Sequence, residues 1–443
     1  MSQVDVDVLV VGAGLSGLAA ARALSLEGAS VLVLEAQPRV GGRLYSPEVR
    51  GRRVELGAHF VSSGQQRLAA LCQDIGVPLA PTPSGLHVFE LGGRLSRQPK
   101  LEWPLSVAAR AELKMLDRRL NKEAARRAIG ELAVPEGQSF ARMGRGLQTR
   151  GARSLFRMAV RLSAGVEPEE LSLAAGVRLF SSSEGLLPRI LPRRGAFSGS
   201  FEGGSQRLCE RLALRLGDAV RVQSPVSTVE HRFEGFDVHT SQGDSWSSKV
   251  VILAVPPPLL AGIDFVPSLG GPVQEAIQRL PMGAIGIFAA VYDTPWWRPA
   301  GLSGQAFSDQ GFLQLVFDGS PDEGGEGVLV GTVSGAKARS FFSLSPEDRQ
   351  LHAQQELSEL FGARAFDAVG FVDRDWRADP WARGGPTVAM APATSHLGSA
   401  FAFDQAGLLW AGSEVTDEWV GTLEGAIASG ESAAAAALDR LAD

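Results

Sequence analysis

The sequence predicts an α/β unit of the Rossmann-like type joined to an α+β body of mixed sheet and helices. Three observations carry this. Val4 to Leu34 reads strand, glycine turn, helix, strand; Val250 to Val255 is a continuous apolar run that suits a strand buried on both faces; and from Leu101 to about Leu187 the pattern changes to long helical periodicity. At 443 residues the chain is too long for one ordinary domain.

The first unit is the most specific. The strand Val4 to Val11 runs into Gly12-x-Gly14-x-x-Gly17, a small-residue helix follows over Leu18 to Leu26, and a second strand, Ser30 to Leu34, ends in Glu35 and Ala36. Gly12 allows a tight turn, with Ala13 and Ser16 in the same loop. Gly14 lets backbone approach a pyrophosphate, and Gly17 lets helix and strand pack closely. The helix N-terminus faces the phosphate charge, and Glu35 sits where a carboxylate accepts both ribose hydroxyls. A lone glycine cluster is loop punctuation. Strand, glycines, helix, strand and acid in register predict a dinucleotide site.

The later elements follow in order. Arg110 to Arg127 and Ala141 to Leu162 are basic and amphipathic, and a helical subdomain with a solvated Arg face is preferred over a membrane-surface face. A helix over Gln206 to Leu216 leads into strands at Val220 to Val222, Val226 to His231, Phe236 to Thr240 and Lys249 to Val255. Residues 284–292, 312–317, 328–334 and 368–373 read as a second sheet. Gly407 to Trp410 is a strand, and Leu423 to Leu441 a long helix.

Past Glu35 the chain adds Arg39 and Gly41-Gly42-Arg43: a second glycine turn with two guanidiniums suited to phosphate oxygens. The run Glu35-Ala36-x-x-Arg39-x-Gly41-Gly42-Arg43 resembles the FAD-binding N-terminus of the flavin amine oxidase superfamily, which includes monoamine and polyamine oxidases, amino-acid oxidases, protoporphyrinogen oxidases and carotenoid desaturases. Glu55-Leu56-Gly57-Ala58-His59-Phe60 resembles its next element, beside the isoalloxazine. The middle strands resemble its central FAD segment, where the residue at Val226 packs beside the adenine. Trp410 to Glu431 resembles its terminus: Gly412-Ser413-Glu414 closes a strand, and Gly421-Thr422-Leu423 opens a helix towards the flavin N1–C2=O edge.

The resemblance implies FAD as cofactor, a small-molecule substrate, and an oxidoreductase that moves a hydride from carbon beside nitrogen onto flavin N5, with oxygen taking the electrons. It implies an FAD-binding domain of 1–75, 203–275 and 398–443, and a substrate-binding domain of 76–202 and 276–397. The chain departs from the pattern at the substrate. Ile287 stands where amine oxidases carry a lysine linked to oxygen reactivity. Thr422 and Thr387 stand where monoamine oxidases place two aromatic rings, with Trp381 and His59 as replacement pocket groups. The cysteine that tethers flavin in monoamine oxidases is missing, with Pro386 near its place, so FAD is expected to be non-covalent. A desaturase or porphyrinogen-type oxidase of large apolar substrates is the alternative, and a non-catalytic FAD-bound scaffold a third reading.

Composition sets further bounds. A net charge of −6 gives no electrostatic case for nucleic acid. Two cysteines, Cys72 and Cys209, support neither a disulfide framework nor a metal site. The acidic start is wrong for a secretory signal, and no apolar run approaches the ~20 residues that span a bilayer, so a cytoplasmic protein is expected.

Overall fold

In the computed structural model, residues 5–62, 64–80, 84–128, 137–183, 185–186, 200–321, 325–401 and 406–442 are described. Two sheets organise them. In the first, Val6–Val11 lies parallel to Val31–Leu34 on one side and to Ser245–Leu253 on the other, with Val10 opposite both Val33 and Ile252. The first half of Ser245–Leu253 pairs antiparallel with Gly235–Thr240, and its second half pairs parallel with Leu408–Trp410. Val8, Leu9 and Val10 are wholly buried because helices and loops cover both faces, which is why the buried stretches of these strands read as runs of Val, Leu and Ile. Helices Leu15–Leu26 and Leu423–Ala442 pack side by side on one face, joined by Arg207–Leu216.

The second sheet runs in the order Gly370–Asp375, Ile285–Tyr292, Gly327–Ser334, Leu315–Asp318, Leu302–Ser308, Leu86–Leu91, Arg94–Gln98. Its last three strands are not in the sequence reading. Leu302–Ser308 is buried throughout yet carries Ser303, Gln305 and Ser308, and Ser303 Oγ meets His87 Nδ1 of the neighbouring strand at 2.8 Å. Polar residues that satisfy one another inside the sheet erase the apolar pattern that marks a buried strand.

Helices Val107–Ala128, Arg150–Ala164 and Leu173–Ser181 share a core with Phe89 and Phe307 of this sheet. The single helix expected over Ala141 to Leu162 is two. Ala141–Gly144 ends first, and Thr149 opens the second by accepting from Ala152 N. Pro346–Phe361 covers the sheet's other side. Among the described residues no helix is long and apolar enough to cross a membrane.

Candidate active site

A cavity of about 750 Å³ extends from the C-terminal ends of Val6–Val11 and Val31–Leu34 to one face of the second sheet. Ligands of parallel sheets bind at such strand ends. At the first end Gly12 takes φ +105°, and a Cβ there would sit 2.8 Å from the Ala254 carbonyl oxygen. A Cβ on Gly17 would overlap the Gly12 carbonyl oxygen, so Gly17 lies behind the cavity as packing. Above Gly14 a Cβ would meet nothing within 4 Å, and no side chain caps helix Leu15–Leu26. Open space over uncapped N–H groups is the cradle a pyrophosphate fills.

Glu35 is 6% exposed, and burial raises its pKa. Its Oε2 accepts from Ala13 N at 2.7 Å and its Oε1 from Gln37 N at 2.9 Å. Those bonds fix the carboxylate and leave lone pairs for ribose hydroxyls. Ser16, Ala36 and Val226 line the same end, while Ala13 serves through its N–H alone.

Arg39 corrects the expectation of a phosphate fork. It does not line the cavity; it donates to the Gly42 carbonyl at 2.9 Å and the Leu44 carbonyl at 3.2 Å, with its guanidinium 4.4 Å from the Tyr45 ring centroid. It props the turn that presents Gly42 and Arg43. Arg43 lines the cavity, donates to the Pro386 carbonyl at 2.8 Å and pairs with buried Glu414. Glu414 is therefore a clamp behind the site. Gly412, also off the lining, donates from its N–H to Ser429 Oγ at 3.0 Å and ties the strand end to the last helix.

Ser413, Gly421, Thr422 and Leu423 line the middle. Thr422 Oγ1 donates to the Trp419 carbonyl at 2.6 Å and accepts from Gly425 N at 3.2 Å, so the hydroxyl starts the final helix and is already used. Thr387 departs from the expected pocket wall. It is 3% exposed but off the lining, packed against Gly421. Trp381 is on the lining but 43% exposed, a rim rather than a wall.

At the far end Thr332 is the cross-strand partner of both Ile287 and Leu315, and all three line the cavity. Ile285, Phe60, and Leu162 and Ser163 of helix Arg150–Ala164 complete this end, with Gly57, Ala58 and His59 beside it. His59 lies between the Phe60 and Phe317 rings, 4.0 and 4.1 Å between centroids. Its Nδ1–H donates to the Gly57 carbonyl at 2.7 Å, which leaves Nε2 as an acceptor without a partner. Burial holds its pKa down to about 4, so the ring is neutral at physiological pH. Thr332 Oγ1 is likewise buried and unpartnered.

Among the described lining residues the formally charged ones are Glu35, Arg43 and Arg383. The first two are placed above, and exposed Arg383 donates to the Pro258 carbonyl. Leu315, Thr332, Leu162 and Ser163 are site residues the sequence reading misses. One signal for Thr332 was available: a hydroxyl inside the apolar strand Gly327–Ser334, buried at every position.

The sequence pattern of flavin containing amine oxidoreductases matches residues 15–438. AofH of Mycobacterium tuberculosis, named for a flavin-containing monoamine oxidase, is 33% identical across 97% of this chain and 96% of its own. The solved structure of putrescine oxidase bound to putrescine has a TM-score of 0.90 at 28% identity, covering 99% of each chain. Cyclohexylamine oxidase from Brevibacterium oxydans has a TM-score of 0.89 at 27% identity, covering 99% of this chain and 100% of that one. Cys72 and Cys209 are buried away from the cavity, so neither tethers a flavin. A match from the first helix to the last, on a cavity whose glycine cradle and fixed acid suit FAD, places this chain in the flavin containing amine oxidoreductase family, as an FAD-dependent oxidoreductase that holds its flavin non-covalently.

Proposed function

We propose that the protein oxidises primary monoamines with an apolar substituent, with molecular oxygen as final electron acceptor, in a cytoplasmic setting that keeps both thiols reduced. One observation carries the substrate class: apart from neutral His59, the far end of the cavity is lined by uncharged side chains among the described residues. A second ammonium, as in a diamine, finds no carboxylate there, and an α-carboxylate finds no guanidinium. Burying either charge unpaired is costly, so both classes are disfavoured against an apolar monoamine.

FAD supplies the two-electron acceptor when bound. Gly12, Gly14 and Glu35 would hold its dinucleotide part, and Gly42, Arg43, Ser413 and Gly421 to Leu423 its ring end. Ile285, Ile287, Leu315 and Phe60 would exclude water from the reacting carbon, while His59 Nε2 and Thr332 Oγ1 accept N–H bonds from a neutral amine. This replaces guidance by two aromatic rings with guidance by two acceptors. Positioning and desolvation are what such a transfer requires of the protein.

The test is anaerobic bleaching of the flavin by benzylamine, putrescine and phenylalanine, followed by aerobic measurement of hydrogen peroxide. Benzylamine is expected to bleach with kcat/KM on the order of 100-fold above the other two, the scale of one unpaired buried charge or polar group. Equal or faster bleaching by putrescine or phenylalanine rejects the substrate class. Bleaching without peroxide rejects oxygen as acceptor.

A further inference from the structure

Helix Val107–Ala128 has a face that neither folding nor the cavity explains. Leu113, Leu116 and Leu120 are buried against helices Arg150–Ala164 and Leu173–Ser181. On the opposite side Arg110, Lys114, Arg118, Lys122 and Arg126 recur every four residues, all exposed. At about 1.5 Å per residue they form a stripe roughly 24 Å long. Like charges spaced i,i+4 weaken an isolated helix, so this spacing does nothing for folding. Among the described residues, Arg110, Lys114, Arg118 and Lys122 have no carboxylate in ion-pair contact, and only Arg126 pairs, with Glu123 at 3.3 Å.

Two apolar side chains stand within the stripe. Val107 is 85% exposed and Met115 61% exposed. At 100° per residue both fall inside the arc spanned by the five cations, opposite the buried leucines. The chain as a whole is acidic, with net charge −6, so attraction to an anion is local to this ridge and not a property of the whole molecule.

We infer that this ridge docks on an anionic lipid surface. A bilayer interface accepts both components: basic side chains meet lipid phosphates, and Val107 and Met115 enter the acyl boundary. A polynucleotide or acidic peptide would satisfy the cations and leave the apolar pair exposed. The placement also suits the proposed chemistry. The helix packs on Arg150–Ala164, whose Leu162 and Ser163 line the reactive end, and apolar amines concentrate in membranes.

The experiment sediments FAD-loaded protein with phosphatidylcholine vesicles, with and without phosphatidylglycerol, at low and high ionic strength. Binding is expected only to the phosphatidylglycerol vesicles, and high salt should release it. The pair Lys114→Gln with Arg118→Gln should weaken it about 25-fold, at roughly fivefold per charge. Val107→Ser with Met115→Ser should weaken it while leaving flavin content and turnover of a water-soluble amine unchanged. No binding, equal binding to both vesicles, or affinity unchanged in either double variant overturns the proposal. Binding of duplex DNA or polyglutamate as tight as that of vesicles, and indifferent to the Val107 and Met115 changes, assigns the ridge to a polyanion instead and overturns it too.

Discussion

Glu35 and Thr332 are opposite solutions to burying a polar group. Glu35 spends part of its carboxylate on Ala13 N and Gln37 N and is thereby fixed. Thr332 Oγ1 has no partner and bears the desolvation cost without return from the protein. Glu35→Gln puts an amide against a backbone N–H, and flavin affinity is expected to fall on the order of 10-fold or more, read by titrating apoprotein with FAD. Undiminished affinity would remove Glu35 from the ribose. Thr332→Val has the reverse signature. Thermal stability should rise by about 1 kcal/mol because the orphan hydroxyl is gone, while KM for the amine rises roughly fivefold through a lost hydrogen bond. A fall in stability with unchanged KM would make the hydroxyl structural. Ile287, 3% exposed on the same layer, is the place to install Lys. Faster reoxidation of reduced flavin by oxygen in Ile287→Lys, timed by stopped flow, is expected; an unchanged rate would put the position away from the flavin.

Asp318 decides how one element is built. The run Pro295-Trp296-Trp297-Arg298 is a tether. Trp297 Nε1–H donates to Asp318 Oδ2 at 2.8 Å and Arg298 Nε–H to the same oxygen at 2.7 Å, pinning the turn after Ile285–Tyr292 to the end of Leu315–Asp318. Those two strands carry Ile287 and Leu315, whose spacing is set by their shared partner Thr332, and the tether fastens the strands' opposite ends. Asp318→Ala strands a buried indole N–H and a guanidinium, and should cost about 3 kcal/mol in denaturant unfolding. Asp318→Asn should recover part of it. Full stability in Asp318→Asn would mean that side-chain shape, not the charged acceptor, holds the turn.

The same scale explains what could be read early. Val6–Val11, the glycine turn and Glu35 were legible because each residue's chemistry is local. Strand Leu302–Ser308 was not, since the hydroxyls of Ser303 and Ser308 are buried against His87 and Glu90, neighbours distant in sequence. Thr422 was legible as a site position but not as a helix cap, and Arg39 as a guanidinium but not as one turned onto Tyr45. Neighbours brought by the fold decide such details.

Across the whole molecule, residues 55–60 connect the two sheets through two buried titratable groups. Glu55 accepts from Ser205 N, Gly57 N and Ser46 Oγ on the first side, while His59 stacks on Phe317 of the second. Burial lifts the Glu55 pKa to about 7, with those hydrogen bonds opposing, and lowers that of His59 to about 4. Their linkages have opposite sign. Between about pH 4 and 6.5 the unfolded chain protonates the histidine and the folded chain does not, so His59 makes stability fall with acid. Between about pH 4.5 and 7 the folded chain holds a proton on Glu55 that the unfolded chain has lost, so Glu55 makes stability rise with acid. From about pH 7.5 to pH 5 each amounts to roughly 2 kcal/mol, and in the intact protein the two nearly cancel. Removing one should expose the other. Glu55→Gln is expected to lose stability on the order of 2 kcal/mol over that range, and His59→Asn, whose amide can still donate to Gly57, to gain about as much. Denaturant titrations at the two pH values measure both slopes. Parallel slopes in the two variants would mean that at least one of these groups is not titrating where its burial puts it.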